Sequence, residues 1–417
     1  MIEYPKKLDL IFNKLKNKNA TPIIVGGFVR DFLLKIPSKD IDIEVYGISS
    51  FDSLESILEE FGSVNSVGKS FGVCKLQFDN LDLDFSLPRK DSKISSGHKG
   101  FVIEVNSSLD FKMASSRRDF TINAIGYDVL NKKILDPFNG IDDLENKILR
   151  FIDKNKFQED PLRILRAVQF SARFHLKIDK NLLDLCQNMC KLESLKELPK
   201  ERIFDEIQKL LLKSNKPSYG LKILKKFNAL NSFPHLKNLN DSDWKETLNA
   251  IDEIKKTTPK NLILILSALC HKLNQEQIKD FIFYLTKEKE ILKQVLVLVD
   301  NSNHYSYKDS QLYRLATKLK IEELVLLNMA ISKKNPSNYK KCELIQKRAK
   351  ELNILNSPYK ALLEGKDILN LGIQPSKIYS KILNTAYEAQ INNIFKTYNE
   401  AKRWLKIYID TNPNLKL

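Results

Sequence analysis

The chain has 417 residues, of which 42% are hydrophobic and 29% are charged, and its formal net charge is +16 at pH 7. This length is too great for one hydrophobic core and predicts about two to four domains, and the lack of any apolar run of about 18 residues excludes a membrane-spanning helix. The charge favours a polyanionic partner such as nucleic acid, although a composition rich in Lys and Asn can also produce such a surplus.

The N-terminal sequence, MIEYPKKLDLIFNKL, has no apolar core followed by a small-residue cleavage site, so we do not read it as a secretory signal. The five cysteines are scattered along the chain and odd in number, which is typical of reduced thiols rather than of a disulfide framework. We therefore expect a cytoplasmic protein.

The first part of the chain alternates between strand and helix patterns. TPIIVGG predicts a short apolar strand ending in a turn, FVRDFLLK has helical spacing, and DIDIEVYG alternates as a strand does. FDSLESILEEFG predicts an amphipathic helix, and the strand patterns that follow are SFGVCKLQFDN, LDLDFSLP and KILDPF. The polar, Gly/Ser-rich segment RKDSKISSGHKG predicts a mobile loop.

After about residue 150, glycine becomes rare and helical periodicity dominates to the C-terminus. The clearest helix patterns are EDPLRILRAVQFSARF, KERIFDEIQKLLLK, PSYGLKILKKFNAL, PKNLILILSALCHKL and NNIFKTYNEAKRWLKIYI. The sequence therefore predicts an α+β fold, in which a head with a mixed sheet and helices is followed by an all-α remainder.

Two acidic residues, Asp40 and Asp42, lie in the strand pattern DIDIEVYG. Residues i and i+2 of a strand point to the same face, so the two carboxylates should stand about 6–7 Å apart at the backbone. Such a pair raises the pKa of each carboxyl unless a divalent cation binds between them, and Mg²⁺ prefers carboxylate oxygens together with substrate phosphates. A bare Asp-x-Asp is common, however, and two solvated acids on a strand edge are the alternative interpretation.

The residues upstream of this pair favour a nucleotide site. Gly26 and Gly27 follow an apolar strand and open a helix, where glycine lets backbone N–H groups approach a phosphate. Arg30, one turn into that helix, could clamp a phosphate oxygen. A tight turn with a surface arginine is the structural alternative.

These motifs resemble those of a known family, the class II tRNA nucleotidyltransferases and the related bacterial poly(A) polymerases of the polymerase-β-like superfamily. GGFVRD with KDIDIEVYG is similar to the family's first motif. The later motifs follow in order as RRDFTINAIGYD, DPFNGIDDLENKILR, EDPLRILRAVQFSARF and ERIFDEIQKLL. The resemblance covers about residues 20–215 and implies a nucleotidyltransferase head with a helical neck, body and tail.

In the second motif, Arg118 lies on a segment that we expect to return beside the carboxylate strand, where a guanidinium can neutralise triphosphate charge. Asp119 and Asn123 could orient the ribose or the motif backbone, and purely structural hydrogen bonds are the equal alternative. The family also leads us to expect a third carboxylate. Asp82 and Asp84 share a strand face, and Asp84 fits the family pattern better.

In the fourth motif, Asp160, Arg163, Arg166 and Arg173 recur at steps of three to seven residues, which predicts one shared helix face. By itself such a row is usually a solvated ion-pair face. The resemblance implies that Asp160 and Arg163 read the Watson–Crick edges of cytosine and adenine. Arg166 and Gln169 would also contact the nucleotide, although the family commonly has Arg where this chain has Gln169.

The resemblance implies template-independent addition of C, C and A to the 3′ end of tRNA from CTP and ATP, with pyrophosphate released. Asp40 and Asp42 would hold Mg²⁺ as the cofactor, and Asp84 would be a further catalytic carboxylate. The segment 89–100 would help the site switch from CTP to ATP. The alternatives are a CC- or A-adding specialist, a poly(A) polymerase and a non-enzymatic RNA-binding protein.

The predicted domains are a catalytic head at 1–150, a neck with the nucleotide-selecting helix at 151–215, a body at 216–310 and a tail at 311–417. Lysines and arginines on the helices of the body and tail could contact tRNA phosphates, although solvated helix faces explain any one of them as well. The sequence predicts no membrane association and does not identify a protein partner.

Overall fold

A computed structural model gives the structure of the chain and describes residues 2–65, 72–93, 101–106, 108–412 and 414. The chain divides into two compact units. Unit 1 comprises Met1–Asn238 with Phe283–Thr286, and unit 2 comprises Leu239–Ile282 with Lys287–Leu417. None of the described helices has the length and apolar character needed to cross a bilayer. The boundaries of the four predicted domains remain a prediction.

The described strands lie in unit 1. They are β1 (Thr21–Val25), β2 (Ile41–Tyr46), β3 (Ser63–Asn65), β4 (Val73–Phe78), β5 (Leu81–Ser86), β6 (Arg89–Lys93), β7 (Phe101–Val105), β8 (Gly126–Asp128), β9 (Lys133–Leu135), β10 (Ile148–Leu149) and β11 (Lys177–Ile178). Seven of them form a mixed sheet in the order β3-β4-β5-β2-β1-β8-β9, while β6 pairs with β7 and β10 with β11.

The centre of the sheet is built from alternating apolar side chains. Ile24 of β1 pairs with Ile43 of β2, which in turn pairs with Phe85 of β5, and all three are fully buried. Because side chains alternate between the two faces of a strand, burying this set leaves Asp42 and Asp84 on the opposite face. The packing of the core therefore fixes which face carries the acidic residues.

Helices of unit 1 flank this sheet and continue beyond it. They are α1 (Asp9–Asn17), α2 (Gly27–Leu33), α3 (Phe51–Leu58), α4 (Phe111–Ser115), α5 (Gly140–Glu145), α6 (Lys154–Glu159), α7 (Leu162–Phe174), α8 (Lys180–Lys191), α9 (Lys200–Lys213) and α10 (Pro217–Lys226). Helix α7 packs against both α9 and α10. Gly220 of α10 lets this helix approach its neighbours closely, because a Cβ there would lie 2.4 Å from Leu210 of α9 and 2.9 Å from Ala172 of α7.

The remaining helices follow in chain order. They are α11 (Asp241–Thr257), α12 (Leu262–Cys270), α13 (Gln275–Leu285), α14 (Lys289–Asp300), α15 (Asp309–Ala316), α16 (Ile321–Ile331), α17 (Pro336–Glu351), α18 (Gly365–Leu369), α19 (Ile378–Ile391) and α20 (Tyr398–Asp410). Apolar clusters centred on Ile321 and on Ile382, both fully buried, hold parts of unit 2 together. The change from mixed to helical structure thus occurs where the sequence predicts it.

The structure corrects two local predictions. Asp160 is not part of helix α7. Its backbone is extended, since Pro161 disfavours a helical conformation in the residue before it. Arg89–Lys93 is a strand rather than a loop, while residues 94–100 of the proposed switching segment lie outside the described residues. The segment that carries Arg118 lies beside the carboxylate strand β2 as predicted, because Arg117 pairs with Glu44 and Arg118 lines a cavity with Asp42, whereas the later strand β8 pairs with β1.

Candidate active site

The turn after β1 has a conformation that glycine adopts readily. Gly26 has φ 70° and ψ −126°, and a Cβ on it would lie 2.7 Å from Nη1 of Arg118 and 3.6 Å from Oδ2 of Asp42. The Cα hydrogen of glycine leaves room for the guanidinium to lie against the backbone. The predicted Gly-Gly turn thus brings Arg118 and Asp42 together at the start of α2.

The acidic residues converge on the next strands. Asp42 of β2 is directly paired with Asp84 of β5, and both line a small cavity of 170 Å³ together with Arg118. Asp40 precedes the first residue of β2 and is exposed. The structure therefore brings Asp42 and Asp84 together as cross-strand neighbours, while Asp40 lies at the edge of the group.

The surroundings of Asp42 disfavour its ionised form. Desolvation raises the pKa of this carboxyl, and although Arg118 lowers it, the charges of Asp84 and Asp40 raise it further. Nζ of Lys75 lies 3.3 Å from Oδ1 of Asp84, which makes a long ion pair. A cation bound between these carboxylates would relieve the repulsion that raises the pKa.

These residues fit Mg²⁺. The ion commonly binds to proteins through one or two carboxylates and completes its coordination with substrate phosphates and water. The described residues contain no group of three or more His, Cys, Asp or Glu side chains arranged to hold a metal by themselves. Asp42 and Asp84, with Asp40 beside them, are the available carboxylate ligands.

Arg118 is half-buried below the turn. It donates from Nη1 to the carbonyl oxygen of Asn123 at 3.2 Å, and its Nε is buried with no hydrogen-bond partner among the described residues. Burial lowers the pKa of this guanidinium, and the adjacent charge of Arg117 lowers it further. Arg117 instead pairs with the fully buried Glu44 of β2 at 3.0 Å. Arg118 therefore retains N–H donors for an anion, and its contact with a triphosphate stays a prediction.

Arg30 is more constrained than the sequence suggests. It donates to Asp31 at 2.8 and 2.6 Å and to Oδ1 of Asn123 at 2.6 Å, and its guanidinium lies over the rings of Phe170 and Phe174. Only 4% of its surface is exposed. Its role as a phosphate clamp stays a prediction, while its observed contacts tie α2 to the second motif and to α7.

A chain of hydrogen bonds continues from Asn123 to α7. Nδ2 of Asn123 donates to Asp119 at 2.9 Å, and Nε of Arg166 donates to the same carboxylate at 2.6 Å. Burial raises the pKa of Asp119, but the positive charge of Arg166, the hydrogen bond from Asn123 and the charge of Arg163 outweigh it, so the pKa is lowered overall. Asp119 and Asn123 thus contact Arg166 of α7 and Arg30 of α2, and a role toward the ribose stays a prediction.

The two proposed base readers lie near the start of α7. Asp160 accepts hydrogen bonds from Arg202 at 3.0 and 3.4 Å and from the backbone N–H of Leu162 at 3.1 Å. Arg163 donates to the carbonyl oxygens of Lys156 at 3.0 Å and Arg117 at 2.7 Å. These contacts hold both side chains in fixed positions within the site.

One pocket of 620 Å³ in unit 1 joins these parts. The predicted site residues that line it are Gly26, Gly27, Arg30, Asp42, Arg118, Asp160, Arg163, Arg166 and Gln169. Asp84 lines the neighbouring cavity, and Asp40 lines neither. The pocket therefore contains a carboxylate for a metal, donors for phosphates and an acid–arginine pair.

The sequence reasoning missed one wall of the pocket. This wall is a stripe of helix α9 formed by Arg202, Glu206, Lys209 and Lys213. Their spacing of four, three and four residues places them on one helix face. The regular spacing of these charged residues within ERIFDEIQKLLLK could have predicted a charged helix face.

Family models match two segments of the chain. Residues 23–150 match the model described as the Poly A polymerase head domain, and residues 175–239 match the probable RNA and SrmB-binding site of polymerase A. The first segment contains the turn, the carboxylates and Arg118. The second contains α9.

Curated relatives share part of the chain. A Multifunctional CCA protein of Haemophilus ducreyi is 33% identical over 273 residues, which are 61% of this chain and 64% of the relative. A CCA-adding enzyme of Buchnera aphidicola is 40% identical over 210 residues, which are 50% of this chain and 48% of the relative. The chain thus matches less than two thirds of the length of these relatives.

Solved structures show the same fold over nearly the whole chain. The Bacillus stearothermophilus CCA-adding enzyme in complex with CTP has a TM-score of 0.75 at 20% identity, covering 99% of both chains. The Thermotoga maritima CCA-adding enzyme complexed with tRNA has a TM-score of 0.67 at 19% identity, covering 98% of this chain and 97% of that one. The predicted fold, a polymerase-type head followed by an all-α remainder, is confirmed. Over residues 23–150 and 175–239 the chain is therefore similar to the class II tRNA nucleotidyltransferases and bacterial poly(A) polymerases that its sequence motifs resemble.

Proposed function

We propose that this protein adds C, C and A to the 3′ end of tRNA from CTP and ATP, without a nucleic-acid template and with release of pyrophosphate. The observation that carries the proposal is the single pocket in which Asp42 and Arg118 lie together with Asp160 and Arg163. The first two residues suit nucleotidyl transfer, and the second two suit selection of the base.

The carboxylates Asp40, Asp42 and Asp84 are the proposed Mg²⁺ ligands. When bound, Mg²⁺ would neutralise triphosphate charge and lower the pKa of the terminal ribose hydroxyl. The side chains of the protein contribute positioning and charge. Arg118 donates to the triphosphate from beside the Gly26 turn, and it is held there by Asn123. Positioning and charge neutralisation are the main contributions that a protein makes to such a transfer.

Base selection requires that Asp160 accept and Arg163 donate. Asp160 already receives hydrogen bonds from Arg202 and Leu162, yet a carboxylate has about four acceptor positions, so it can still accept from cytosine N4 or adenine N6. Arg163 uses one N–H of each Nη nitrogen and has five in all, so it retains donors for the ring nitrogens. Uracil and guanine present the opposite pattern at one or more of these positions.

The proposed substrates agree with the proteins that this chain resembles. Relatives are named Multifunctional CCA protein and CCA-adding enzyme, and structures of the same fold are complexes with CTP, ATP and tRNA. The tRNA 3′ end, CTP and ATP are therefore the proposed partners, and the cytoplasm is the proposed location.

One incubation series tests the proposal. A tRNA that lacks its CCA end is mixed with the protein and Mg²⁺, with CTP alone, ATP alone or both, and the products are sequenced. We expect C addition with CTP alone and the complete CCA end only with both nucleotides. Products that stop after two C residues, or that need a tRNA already ending in CC, would identify a CC- or an A-adding specialist.

The match to a Poly A polymerase head domain supports a second candidate. A poly(A) polymerase would extend the RNA with a long A tract from ATP alone and would not depend on CTP. No incorporation in any mixture, with RNA binding retained, would indicate a non-enzymatic RNA-binding protein.

A further inference from the structure

The pocket keeps positive charge that its own carboxylates do not neutralise. Arg163 donates only to carbonyl oxygens in its described contacts, and Arg30 and Arg173 share one carboxylate, Asp31. An anion larger than one phosphate group could be held by such a surplus. The location of the charges along α9 indicates which anion it is.

Helix α9 presents charges in order along the pocket wall. Arg202 is paired with Asp160 at 3.0 Å, and Lys209 is paired with Glu206 at 2.8 Å. Lys213, one turn beyond Lys209 at the end of the helix, is exposed and forms no hydrogen bond or ion pair with any described residue. The wall therefore ends in an exposed lysine that lines the pocket.

The ion pair between Lys209 and Glu206 leaves polar groups of both side chains available. Glu206 is 3% exposed, and its Oε2 is buried with no hydrogen-bond partner among the described residues. Lys209 uses one of its three N–H donors on Oε1, and its side chain is 42% exposed. Glu206 thus fixes Lys209 against the wall while the ammonium group keeps donors for a ligand.

We propose that Lys209 and Lys213 form a subsite for the sugar–phosphate backbone of the RNA end that is extended. This inference rests on the proposed function and specifies how its substrate is held. Two lysines at i and i+4 present point charges along a helix face, which suits a row of phosphodiesters.

The triphosphate of the nucleotide is the other possible anion. RNA is favoured because α9 lies within residues 175–239, the segment matched by the RNA-binding model, whereas Asp42 and Arg118 lie within the head-domain model. Contact with the backbone carries no base information, so these lysines would position the RNA for attack without selecting the nucleotide.

The test measures RNA binding and nucleotide use separately. Lys213→Gln and the double variant with Lys209→Gln are compared with Lys191→Gln, which removes an exposed lysine of α8 that lies in the same RNA-binding segment and does not line the pocket. The probe is a fluorescent tRNA without its CCA end. Its Kd is measured in the absence of nucleotide over a series of salt concentrations, and the KM values for this tRNA and for CTP are measured separately.

We expect Lys213→Gln to raise the Kd and the KM for the tRNA by about threefold to tenfold. The slope of log K against log salt concentration should become shallower by about 1, the contribution of one phosphate contact. The KM for CTP should stay within about twofold, the double variant should be weaker still, and Lys191→Gln should match the wild type. Lys213→Arg should restore most of the binding, because it keeps the charge.

Two outcomes would overturn the inference. A raised KM for CTP with unchanged RNA binding would assign the lysines to the triphosphate, and equal behaviour of Lys213→Gln and Lys191→Gln would mark Lys213 as a solvated residue. Because the Kd is measured without nucleotide, failure of the wild-type protein to extend tRNA would reject the proposed function without deciding the RNA subsite.

Discussion

At the scale of single residues, Asp42 is the carboxylate that contacts both the second acidic strand and the glycine turn. It is paired across strands with Asp84 and lies close to Arg118 at the Gly26 turn. We predict that Asp42→Asn lowers incorporation of CTP by about a thousandfold or more, since the metal contributes several kcal/mol and each 1.4 kcal/mol changes the rate by about tenfold. The rate is measured in single turnovers at saturating Mg²⁺ and tRNA.

The control for this change is Asp82→Asn on the same strand face as Asp84. Asp82 is exposed and lines neither of the two cavities of the site, so its loss should leave the rate within about twofold. Binding of tRNA should be similar in both variants. Near-normal incorporation by Asp42→Asn would remove Asp42 from the metal assignment.

Gly26 provides a structural test of the same turn. Gly26→Ala should lower the free energy of unfolding by about 1–3 kcal/mol, because its φ of 70° is strained for alanine and the new Cβ would lie 2.7 Å from Arg118. Gly27→Ala is the matched control, since its Cβ would meet Arg30 at an ordinary 3.6 Å. Urea unfolding of both variants distinguishes them, and equal midpoints would show that the turn tolerates a side chain.

The buried ion pair of Asp119 predicts a pH dependence. Burial raises its pKa, but Arg166, Asn123 and Arg163 lower it overall, below its ordinary value of 3.8. A carboxyl with a lowered folded pKa adds stability that is present above the unfolded pKa and is lost as the pH falls through the folded value. Asp119→Asn should therefore be less stable than the wild type at pH 7, and the difference should shrink below pH 3.8.

Urea unfolding from about pH 7 to about pH 3 measures this difference. Asp82→Asn again serves as the control, because it makes the same change of charge at an exposed side chain. A stability deficit of Asp119→Asn that is independent of pH would mean that lost hydrogen bonds, and not charge, account for the effect.

At the scale of elements, periodicity predicted the helices well because their apolar faces are regular. Leu165, Val168 and Ala172 are buried on α7 as their spacing indicates. The position of Asp160 was missed because its spacing from Arg163 is helical, while the start of the helix depends on the following Pro161. Arg202 was missed for a different reason, since its partner lies in another motif and no local pattern reveals such a contact.

This contact between the start of α7 and α9 leads to a prediction about selection. Asp160→Ala should raise incorporation of UTP and GTP relative to CTP and ATP, because the carboxylate acceptor is lost. Arg202→Gln should relax selection by a smaller factor, since it frees Asp160 without removing it. The measurement is the ratio of kcat/KM for CTP to that for UTP.

Arg202→Lys keeps the positive charge beside Asp160, so it should retain more of the selectivity than Arg202→Gln does if Arg202 acts by positioning Asp160. Lys191→Gln, outside the pocket, should leave the ratio unchanged. Unchanged selectivity in Asp160→Ala would show that this pair forms a structural ion pair and does not read the base.

At the scale of the whole molecule, the sequence predicted the mixed head, the helical remainder and most residues of the pocket. Gly26, Asp42, Arg118 and Asp160 were identifiable because each belongs to a short motif with its own chemistry. The charged period of α9 is visible in the sequence, but only the packing of α9 beside α7 shows that this face lines the pocket. Domain boundaries in the helical remainder are beyond such reasoning, since continuous helical periodicity contains no marker for them.

The net charge of +16 leads to the last prediction. If the positive charges contact RNA phosphates, binding releases counterions and weakens steeply as the salt concentration rises. If the surplus only reflects a Lys-rich composition, few of the charges lie on the RNA-binding face and the salt dependence is shallow. We expect the affinity of the full chain for tRNA to fall by about a thousandfold between about 50 and about 200 mM salt, the response of a protein that contacts about six phosphates or more. Fluorescence anisotropy with labelled tRNA measures this slope, and a change of less than about tenfold would mean that few of the charges contact the RNA.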